Sequence, residues 1–284
     1  MGPTHTLIHI TDPHVGPPGG TPRDPVDTGV LLGEALRAVE SSGLRPAALV
    51  LTGDLVEDGT PEQYRRLRDV VAPVAARLGA ATLYAAGNHD RRDALREHLL
   101  DRPRTDGPVE HALVVDGLRI VVLDSTVPGA GYGWLDAERL DRLRERLRTP
   151  AEHGTVLALH HPPLPSPTPL AAAIALQNPA DLATAISGGD VRMILAGHTH
   201  VVSAGCLAGV PVWTGGAIGT TLDALAPGAA LRSVSGPTVS RVDLFVEGVV
   251  ATSVPIGLPT AFGVPGDAME PRIAALRARL PPGA

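Results

Sequence analysis

The stretch that decides the fold reads AALVLTGD and occupies residues 47–54. It begins with six uncharged residues and ends in a glycine and an aspartate, which is typical of a buried strand that delivers a carboxylate to a loop. Similar short and mostly apolar runs recur through the first two hundred residues, at 6–11, 82–86, 118–123, 155–159 and 191–195. They are too short for helices, and their nearly continuous hydrophobicity predicts strands that are buried on both faces.

Helical patterns lie between these runs. Thr60 and Gln63 form a capping-box pattern with Pro61 at the first helical position, which predicts a helix that continues toward Gly79 and is kinked or broken at Pro73. Further helices are predicted from about Asp136 to Arg148, from Asn178 and Pro179 onward, and over residues 271–280. Strands that alternate with helices indicate an α/β architecture.

Two short turns predict β-hairpins within this architecture. Residues 116–117 are Asp-Gly between two apolar runs, which is typical of a type I′ turn. Residues 247–248 are Glu-Gly between two further β-rich segments. Antiparallel hairpins beside parallel strand–helix–strand units predict mixed sheets, with mostly β structure in the last third of the chain.

Composition excludes several classes of function. The 284 residues carry a formal net charge of -6 at pH 7 and a pI near 6.0, which disfavours a surface that coats nucleic acid. Aromatic residues make up 2% of the chain, too few to expect stacking platforms for single strands. No apolar run approaches the ~20 residues that a membrane helix needs. The single cysteine, Cys206, excludes an internal disulfide and fits a reducing compartment.

Five of the predicted strands end in residue types that bind metals. These residues are Asp12 and His14, then Asp54, then Asn88 with His89 and Asp90, then His160, and finally His198 with His200. Because loops at the carboxyl ends of strands form the sites of α/β sheets, the side chains are expected to converge. Each motif alone is explained by a cap, a turn or a hydrogen-bonded core histidine. Their conjunction in this order favours a shared metal centre.

The donor types indicate how many ions such a centre would hold. Two carboxylates, four imidazoles and one amide oxygen make seven candidate ligands, and none is sulfur. Seven ligands are too many for one tetrahedral ion and suit two adjacent ions that share a carboxylate, which lie ~3.5–4 Å apart in two-metal hydrolases. Mixed imidazole and carboxylate donors favour Mn, Fe, Zn or Co over Mg or Ca.

The order of these motifs resembles that of the calcineurin-like metallophosphoesterases. The resemblance is carried by Asp-x-His at 12–14, Gly-Asp at 53–54, Gly-Asn-His-Asp at 87–90, His160 and Gly-His-x-His at 197–200. It covers residues 6–200, and the β-rich continuation to about residue 255 also suits that fold. Within the superfamily the chain is most similar to class III cyclic nucleotide phosphodiesterases of the mycobacterial type, through segments such as Leu-Arg-Pro at 44–46 and His-His-Pro-Pro at 160–163.

The resemblance implies a fold and an assignment of ligands. The fold is a four-layer α/β/β/α sandwich, in which two mixed β-sheets are flanked by helices. The first metal would be bound by Asp12, His14 and His200, the second by Asn88, His160 and His198, and Asp54 would bridge the two. His89 would face the substrate, and Asp90 would orient the His89 ring from the side away from the substrate. The ions would be Mn, Fe or Zn, divalent or trivalent, and the protein would be a homodimer.

These expectations describe a metal-dependent phosphodiesterase. Two cations would neutralise the phosphodiester and lower the pKa of a bridging water, and the resulting hydroxide would attack phosphorus. His89 would supply a hydrogen bond or a proton to the leaving oxygen. The leading substrates are 3′,5′-cyclic nucleotides, with conversion of cAMP to AMP. A glycerophosphodiesterase or broad-specificity phosphodiesterase is the first alternative, and a phosphomonoesterase is the second.

Functions of another class are disfavoured by the same residues. A non-catalytic scaffold of this fold would not need the full ligand set, and a nuclease would need a more basic surface. The expected partner is therefore a small phosphodiester in the cytoplasm, with no polymeric nucleic acid and no membrane span. The catalytic domain is expected to cover residues 1–256, and residues 257–284 are expected to form a tail with a short helix.

Several neighbouring residues are expected to be structural. Alternation along an extended chain would point the His161 ring away from the site, although this residue adjoins a candidate ligand. Arg91 and Arg92 fit a solvated helix start, and Cys206 fits a small buried filler. The walls of the substrate site are expected to come from residues 162–169 and 201–235.

Overall fold

The structure is a computed structural model that describes residues 2–20, 26–166, 168–228, 230–259 and 262–279. The strands among these residues are β1 (His5–Ile10), β2 (Ala48–Thr52), β3 (Ala81–Ala85), β4 (His111–Val115), β5 (Leu118–Val122), β6 (Thr155–Ala158), β7 (Val191–Ala196), β8 (Ser203–Leu207), β9 (Val210–Thr214), β10 (Thr220–Leu222), β11 (Ser233–Ser235), β12 (Thr238–Leu244) and β13 (Val249–Pro255). The helices are α1 (Thr28–Ser41), α2 (Pro61–Leu78), α3 (Arg92–Leu99), α4 (Ala137–Leu147), α5 (Pro169–Ile174), α6 (Pro179–Ile186) and α7 (Gly266–Arg277).

The strands form two large mixed sheets and one small ribbon. The first sheet has the order β13-β12-β1-β2-β3, in which β1, β2 and β3 are parallel and β12 runs antiparallel to both of its neighbours. The second sheet has the order β4-β5-β6-β7-β9-β8, in which β5, β6, β7 and β9 are parallel and both edge strands are antiparallel. Strands β10 and β11 form the separate ribbon.

Alternation along the strands explains the layers. In β2, Leu49 and Leu51 pack with α1 and α2 on the outer face of the first sheet, whereas Val50 packs between the two sheets. In β6, Val156 faces the inter-sheet core, and Leu157 packs with α4 and α6 on the outer face of the second sheet. Both faces of the central strands are therefore buried, which is why these runs are continuously apolar. The expected four-layer α/β/β/α sandwich is confirmed.

The predicted elements and turns are largely found. Each of the six apolar runs forms a strand, and the 116–117 turn has φ of 46° at Asp116 and 82° at Gly117, as a type I′ hairpin requires. The Thr60 side chain accepts from the backbone N of Gln63 and begins α2. The expectation of a kink or break at Pro73 is not supported as a break, because α2 continues through this residue.

Burial explains why α2 persists through Pro73. Proline removes one helical hydrogen bond, but Val71, Val74 and Leu78 around it are buried against the first sheet. Helix α7 also begins earlier than predicted, at Gly266, and it has no buried residue. Residue 280, the predicted end of α7, lies outside the described residues. None of the described helices combines the length and the apolar character needed to cross a bilayer.

Candidate metal centre

The candidate ligands follow the carboxyl ends of parallel strands from both sheets. Asp12 and His14 follow β1, Asp54 follows β2, Asn88 follows β3, His160 follows β6, and His198 with His200 follows β7. Because the two sheets pack face to face with these ends at one edge, residues separated by up to 188 positions meet in a single cluster. The predicted convergence is thus present in the structure.

The backbone of this cluster is strained. Asp12, His14, Asp54, His198 and His200 all have positive φ, between 42° and 72°. A non-glycine residue rarely adopts this conformation, and it persists only where the surrounding structure imposes it, which is typical of functional sites.

Glycine is required just before the strained Asp54. Gly53 has φ of 90°, and a Cβ there would lie 2.5 Å from Nδ1 of His160. The Gly-Asp motif therefore allows two strand ends to approach closely.

Asp12, His14 and His200 form the first half of the cluster. Nδ1 of His14 lies 2.7 Å from the Glu57 carboxylate, and Nδ1 of His200 lies 2.9 Å from the carbonyl of Thr220. Both acceptors hold the proton on Nδ1, so the Nε2 atoms carry lone pairs in the neutral rings. These two Nε2 atoms are only 3.2 Å apart. Facing lone pairs repel one another unless a cation or a proton lies between them.

His160, Asn88 and His198 form the second half. Nδ1 of His160 lies 2.8 Å from the carbonyl of Thr52, which places the lone pair of the neutral ring on Nε2. That Nε2 lies 3.2 Å from the amide oxygen of Asn88 and 3.0 Å from Nδ1 of His198. Electron-rich atoms therefore converge here as well.

Asp54 lies between the two halves. Its Oδ2 is 3.4 Å from Nε2 of His160 and 3.6 Å from Nε2 of His14. Its other oxygen accepts from the backbone N of His89 at 2.9 Å. One carboxylate oxygen thus faces both halves of the cluster, as a bridging ligand requires.

The electrostatics of the cluster reflect its crowding. Burial lowers the pKa of His14, but the hydrogen bond to Glu57 and the charges of Asp54 and Asp12 outweigh burial and raise it to about 9. Burial also lowers the pKa of His160, but the charge of Asp54 and the hydrogen bond to it outweigh burial and raise the pKa to about 9. By contrast, burial and neighbouring His160 lower the pKa of His198 to about 3. The carboxylates of Asp12 and Asp54 thus favour positive charge beside them.

A pair of metal ions fits this donor set. Oδ1 of Asp12 is buried without a hydrogen-bond partner among the described residues. Four overlapping groups of three potential ligands each lie within 4.8 Å. Together they contain the six predicted carboxylate and imidazole ligands, and also His89 and His161. Buried polar atoms that lack a partner cost free energy, which a bound cation would recover. The mix of imidazole, carboxylate and amide donors suits transition metals.

His89 lies at the exposed side of the cluster. Its side chain is 38% exposed, and its ring centroid is 4.7 Å from that of His14. Nδ1 of His89 donates to the backbone carbonyl of Glu57 at 2.9 Å. The Nε2 edge of the ring is therefore the one left to meet a substrate.

Asp90 does not orient the His89 ring, so this expectation is corrected. Its carboxylate accepts from the backbone N atoms of Gly87 and Leu55 and from the hydroxyl of Tyr64, at 2.8 to 3.1 Å. Burial and the charge of Asp54 raise the Asp90 pKa to about 6. The side chain ties its own loop to the loop after β2 and to α2, and it satisfies two backbone N–H groups that need an acceptor. Asp90 thus holds the loop that carries Asn88.

Sequence reasoning missed the groups that hold the histidines in place. Glu57 fixes His14, and the carbonyls of Thr52 and Thr220 fix His160 and His200. Glu57 could have been suspected, since it lies three residues after Asp54. The carbonyl contacts have no sequence signal, because every residue carries a carbonyl.

The expectation for His161 is wrong. Its ring centroid lies 4.9 Å from that of His160 and 4.5 Å from that of His198, and Nδ1 bonds to the hydroxyl of Ser125. The chain bends at residues 160–161 after β6 ends, so strand alternation does not apply. His161 therefore packs directly against two candidate ligands.

Two other interpretations are also corrected. Arg91 is solvated as expected, but the Arg92 side chain is only 11% exposed and pairs with buried Asp124 at 2.8 Å. Cys206 is exposed and is not a buried filler. Its place in the antiparallel edge strand β8 explains the exposure.

Comparisons with known proteins show what the chain is similar to. The family model described as calcineurin-like phosphoesterase matches residues 5–202. A cAMP/cGMP dual specificity phosphodiesterase from Mycobacterium tuberculosis is 42% identical over 258 residues, covering 90% of this chain and 80% of the relative. A probable cyclic nucleotide phosphodiesterase from Rhodococcus erythropolis is 40% identical and covers 94% of this chain and 89% of the relative.

A solved structure supports the fold. A dimetal phosphatase from Danio rerio aligns with a TM-score of 0.63 at 13% identity, covering 89% of this chain and 99% of that one. At this identity the likeness concerns the architecture alone, and it agrees with the two flanked sheets seen here.

Proposed function

This chain belongs to the calcineurin-like phosphoesterase family, and from that premise we propose that it hydrolyses 3′,5′-cyclic nucleotides, converting cAMP to AMP. The observation that carries the proposal is the cluster of mutually facing acceptor atoms at the sheet edge. Nε2 of His14 and Nε2 of His200, 3.2 Å apart, are its clearest example. Such an arrangement binds cations, and the relatives that share the sequence are named as cyclic nucleotide phosphodiesterases.

The proposal assigns the ligands as two sets. Asp12, His14 and His200 would hold one ion, Asn88, His160 and His198 would hold the other, and Asp54, which lies between the two sets, would contribute to both. When bound, two divalent or trivalent ions, with Mn, Fe and Zn as the candidates, supply Lewis acidity that neutralises the phosphodiester and lowers the pKa of water. Glu57 and the carbonyl groups of Thr52 and Thr220 orient the rings.

His89 is the proposed general acid. Its Nδ1 hydrogen is engaged by the Glu57 carbonyl, so a protonated ring donates from Nε2. The leaving ribose oxygen gains negative charge as its bond to phosphorus breaks, and it takes this proton. The backbone bond from His89 to Asp54 keeps the ring beside the cluster. Asp90 acts through the loop and not on the reacting atoms.

Three further features complete the proposal. The catalytic domain covers residues 1–256, which agrees with the end of β13 at Pro255, and residues 257–284 form a tail with a short helix. The exposed free thiol of Cys206 favours the reducing cytoplasm. A homodimer is proposed from the family resemblance.

A product assay tests the proposed function. The protein is loaded with Mn²⁺ and offered 3′,5′-cAMP, 2′,3′-cAMP and a glycerophosphodiester at equal concentration, with products separated by chromatography. Fastest conversion of 3′,5′-cAMP to AMP, abolished in a chelated control, is the expected result. Slow turnover of cAMP beside fast cleavage of another diester would overturn the substrate assignment. If none of the diesters is cleaved in a metal-dependent way, the proposed phosphodiesterase activity is wrong.

A further inference from the structure

An apolar cleft adjoins the metal centre on the side of His198. It encloses about 530 Å³, part of which is open to solvent. One wall is α5 with Leu170 and Ile174, and the opposite wall is the β10–β11 ribbon and its turn with Leu222 and Leu231. The floor includes His198 and Thr199. Since His198 is also a candidate ligand, the cleft opens directly onto the cluster.

The walls of this cleft expose apolar side chains to solvent. Leu170 is 52% exposed and Leu231 is 66% exposed. Exposed leucines are common singly, but here two line the same concave surface beside a candidate active site. Burial of such surface by a ligand contributes roughly 25 cal/mol per Å².

A planar cation lies at the rim of the cleft. Nε of Arg232 donates to Asp223 at 2.6 Å, and the Asp223 carboxylate also accepts from the backbone N of Leu225 at 2.8 Å. Asp223 therefore holds the guanidinium of Arg232 beside Leu231. A guanidinium plane in this position can stack on an aromatic ring system.

The other side of the metal centre has a different character. A second cleft of about 800 Å³, including open space, is lined by Asn88, His89, Arg91, Arg92 and Asp93. Most of the residues that line it are polar or charged, and it lies beside the proposed general acid. A nucleotide whose phosphate binds at the cluster thus meets an apolar cleft on one side and a polar cleft on the other.

We propose that the cleft between α5 and the β10–β11 ribbon binds the nucleobase of the substrate, with Leu222, Leu231 and Ile174 as its specificity surface. This inference rests on the proposed function and deepens it. The base is the flat and least charged part of a cyclic nucleotide, so it gains most from the apolar walls. The phosphate stays at the cluster, and the ribose spans the short distance past His198.

Two variants change the cleft without touching a candidate ligand. Leu231→Ala removes part of the ribbon wall, and Ile174→Trp fills the cleft from α5. Leu258→Ala is the matched control, because Leu258 is 68% exposed, against 66% for Leu231, and does not line the cleft. Circular dichroism and Mn²⁺ content verify that each variant is folded and loaded.

Binding of AMP and of inorganic phosphate to the Mn²⁺-loaded proteins is measured by calorimetry, alongside KM for 3′,5′-cAMP. We expect about fivefold weaker AMP binding and a similar rise in KM for Leu231→Ala, a larger loss for Ile174→Trp, and unchanged phosphate binding in both. Leu258→Ala should match the wild type in every measurement.

The outcomes separate this inference from the proposed function. Unchanged AMP binding in both cleft variants, or equal losses for AMP and phosphate, would overturn the base site even if the wild type hydrolyses cAMP. If the wild type hydrolyses no cyclic nucleotide but AMP binding still depends on Leu231, the proposed reaction fails and the nucleobase site stands.

Discussion

The two ends of strands β5, β6 and β7 carry polar clusters of opposite kinds. At the amino ends, Arg119 donates to both oxygens of Asp190 and to Oγ1 of Thr155, and Asp190 also accepts from the backbone N of Ala151. Each of these donors is therefore paired with an acceptor. At the opposite edge, the loop after β7 meets the loop after β1, and the Nε2 atoms of His200 and His14 lie 3.2 Å apart, both of them acceptors in the neutral rings.

This difference teaches how to tell a structural polar cluster from a functional one. The Arg119–Asp190 pair is nearly buried, and its hydrogen bonds compensate for lost hydration, so it stabilises the folded state without a ligand. In the histidine and carboxylate cluster, by contrast, buried Oδ1 of Asp12 has no hydrogen-bond partner among the described residues. A cluster of this kind on strained backbone is the better candidate for ligand binding.

The largest effect is expected from Asp54→Asn at the carboxyl ends. Loss of the bridging charge should lower kcat/KM for 3′,5′-cAMP by about 10³-fold, equivalent to about 4 kcal/mol of transition-state stabilisation. Metal analysis of the purified variant should show fewer bound ions than in the wild type. A variant with full metal content and wild-type turnover would contradict the bridging role.

Asp190→Ala is the corresponding change at the amino ends. Removal of one partner from a buried pair leaves Arg119 uncompensated and should lower the free energy of unfolding by about 3 kcal/mol. Urea unfolding measures this loss, and turnover per folded molecule should be unchanged. The control Asp141→Ala breaks an exposed pair with Arg144 and should leave stability unchanged. If Asp190→Ala loses turnover but keeps the stability of the wild type, the pair at the amino ends is functional and not structural.

His89→Ala should separate metal binding from proton transfer. The variant should retain both ions but lose about 10²-fold in kcat, because general acid catalysis is removed. His153→Ala is the control, because its side chain is 36% exposed, close to the 38% of His89. His153 contacts His5, the first residue of β1, and so lies at the other end of that strand from the cluster. Loss of bound metal with normal turnover of the loaded fraction would refute the role of His89.

The smallest effect concerns His111, a histidine outside both clusters. Burial, with Arg102 and Arg146 adding to it, lowers its pKa to about 4. Between pH 6.5 and about 4, the unfolded chain therefore binds more protons at this residue than the folded protein does. The free energy of unfolding is not reduced by His111 above pH 6.5, and it falls as the pH drops from 6.5 to about 4.

Urea unfolding across pH 4 to 8 tests this linkage as a difference between wild type and His111→Phe. The variant lacks the imidazole and should lose less stability on acidification. Because every other titrating group is shared, the difference curve isolates His111. Parallel curves for the two proteins would show that His111 does not contribute to the pH dependence.

Much of the fold could be predicted because local patterns specify it. The uncharged run before Asp54 and the turn at residues 116–117 each depend on a few adjacent residues, and both are found. Pro73 was misjudged as a possible break because the burial that maintains α2 comes from distant strands. The ribbon β10–β11 gave no signal of its own, since strands of three residues are too short for a periodic pattern.

The sequence by itself determined the residue types of the candidate metal centre and their place after strands. Aspartate, asparagine and histidine at these loops are an inventory of donors, and their order marks the family. Only the tertiary structure decided which atoms face one another. Glu57, the carbonyl of Thr220 and the bend at His161 set the ring orientations, and such contacts depend on where separate loops meet in space. Likewise, the apolar cleft exists only because α5 and the ribbon are brought together across the edge of the sheet.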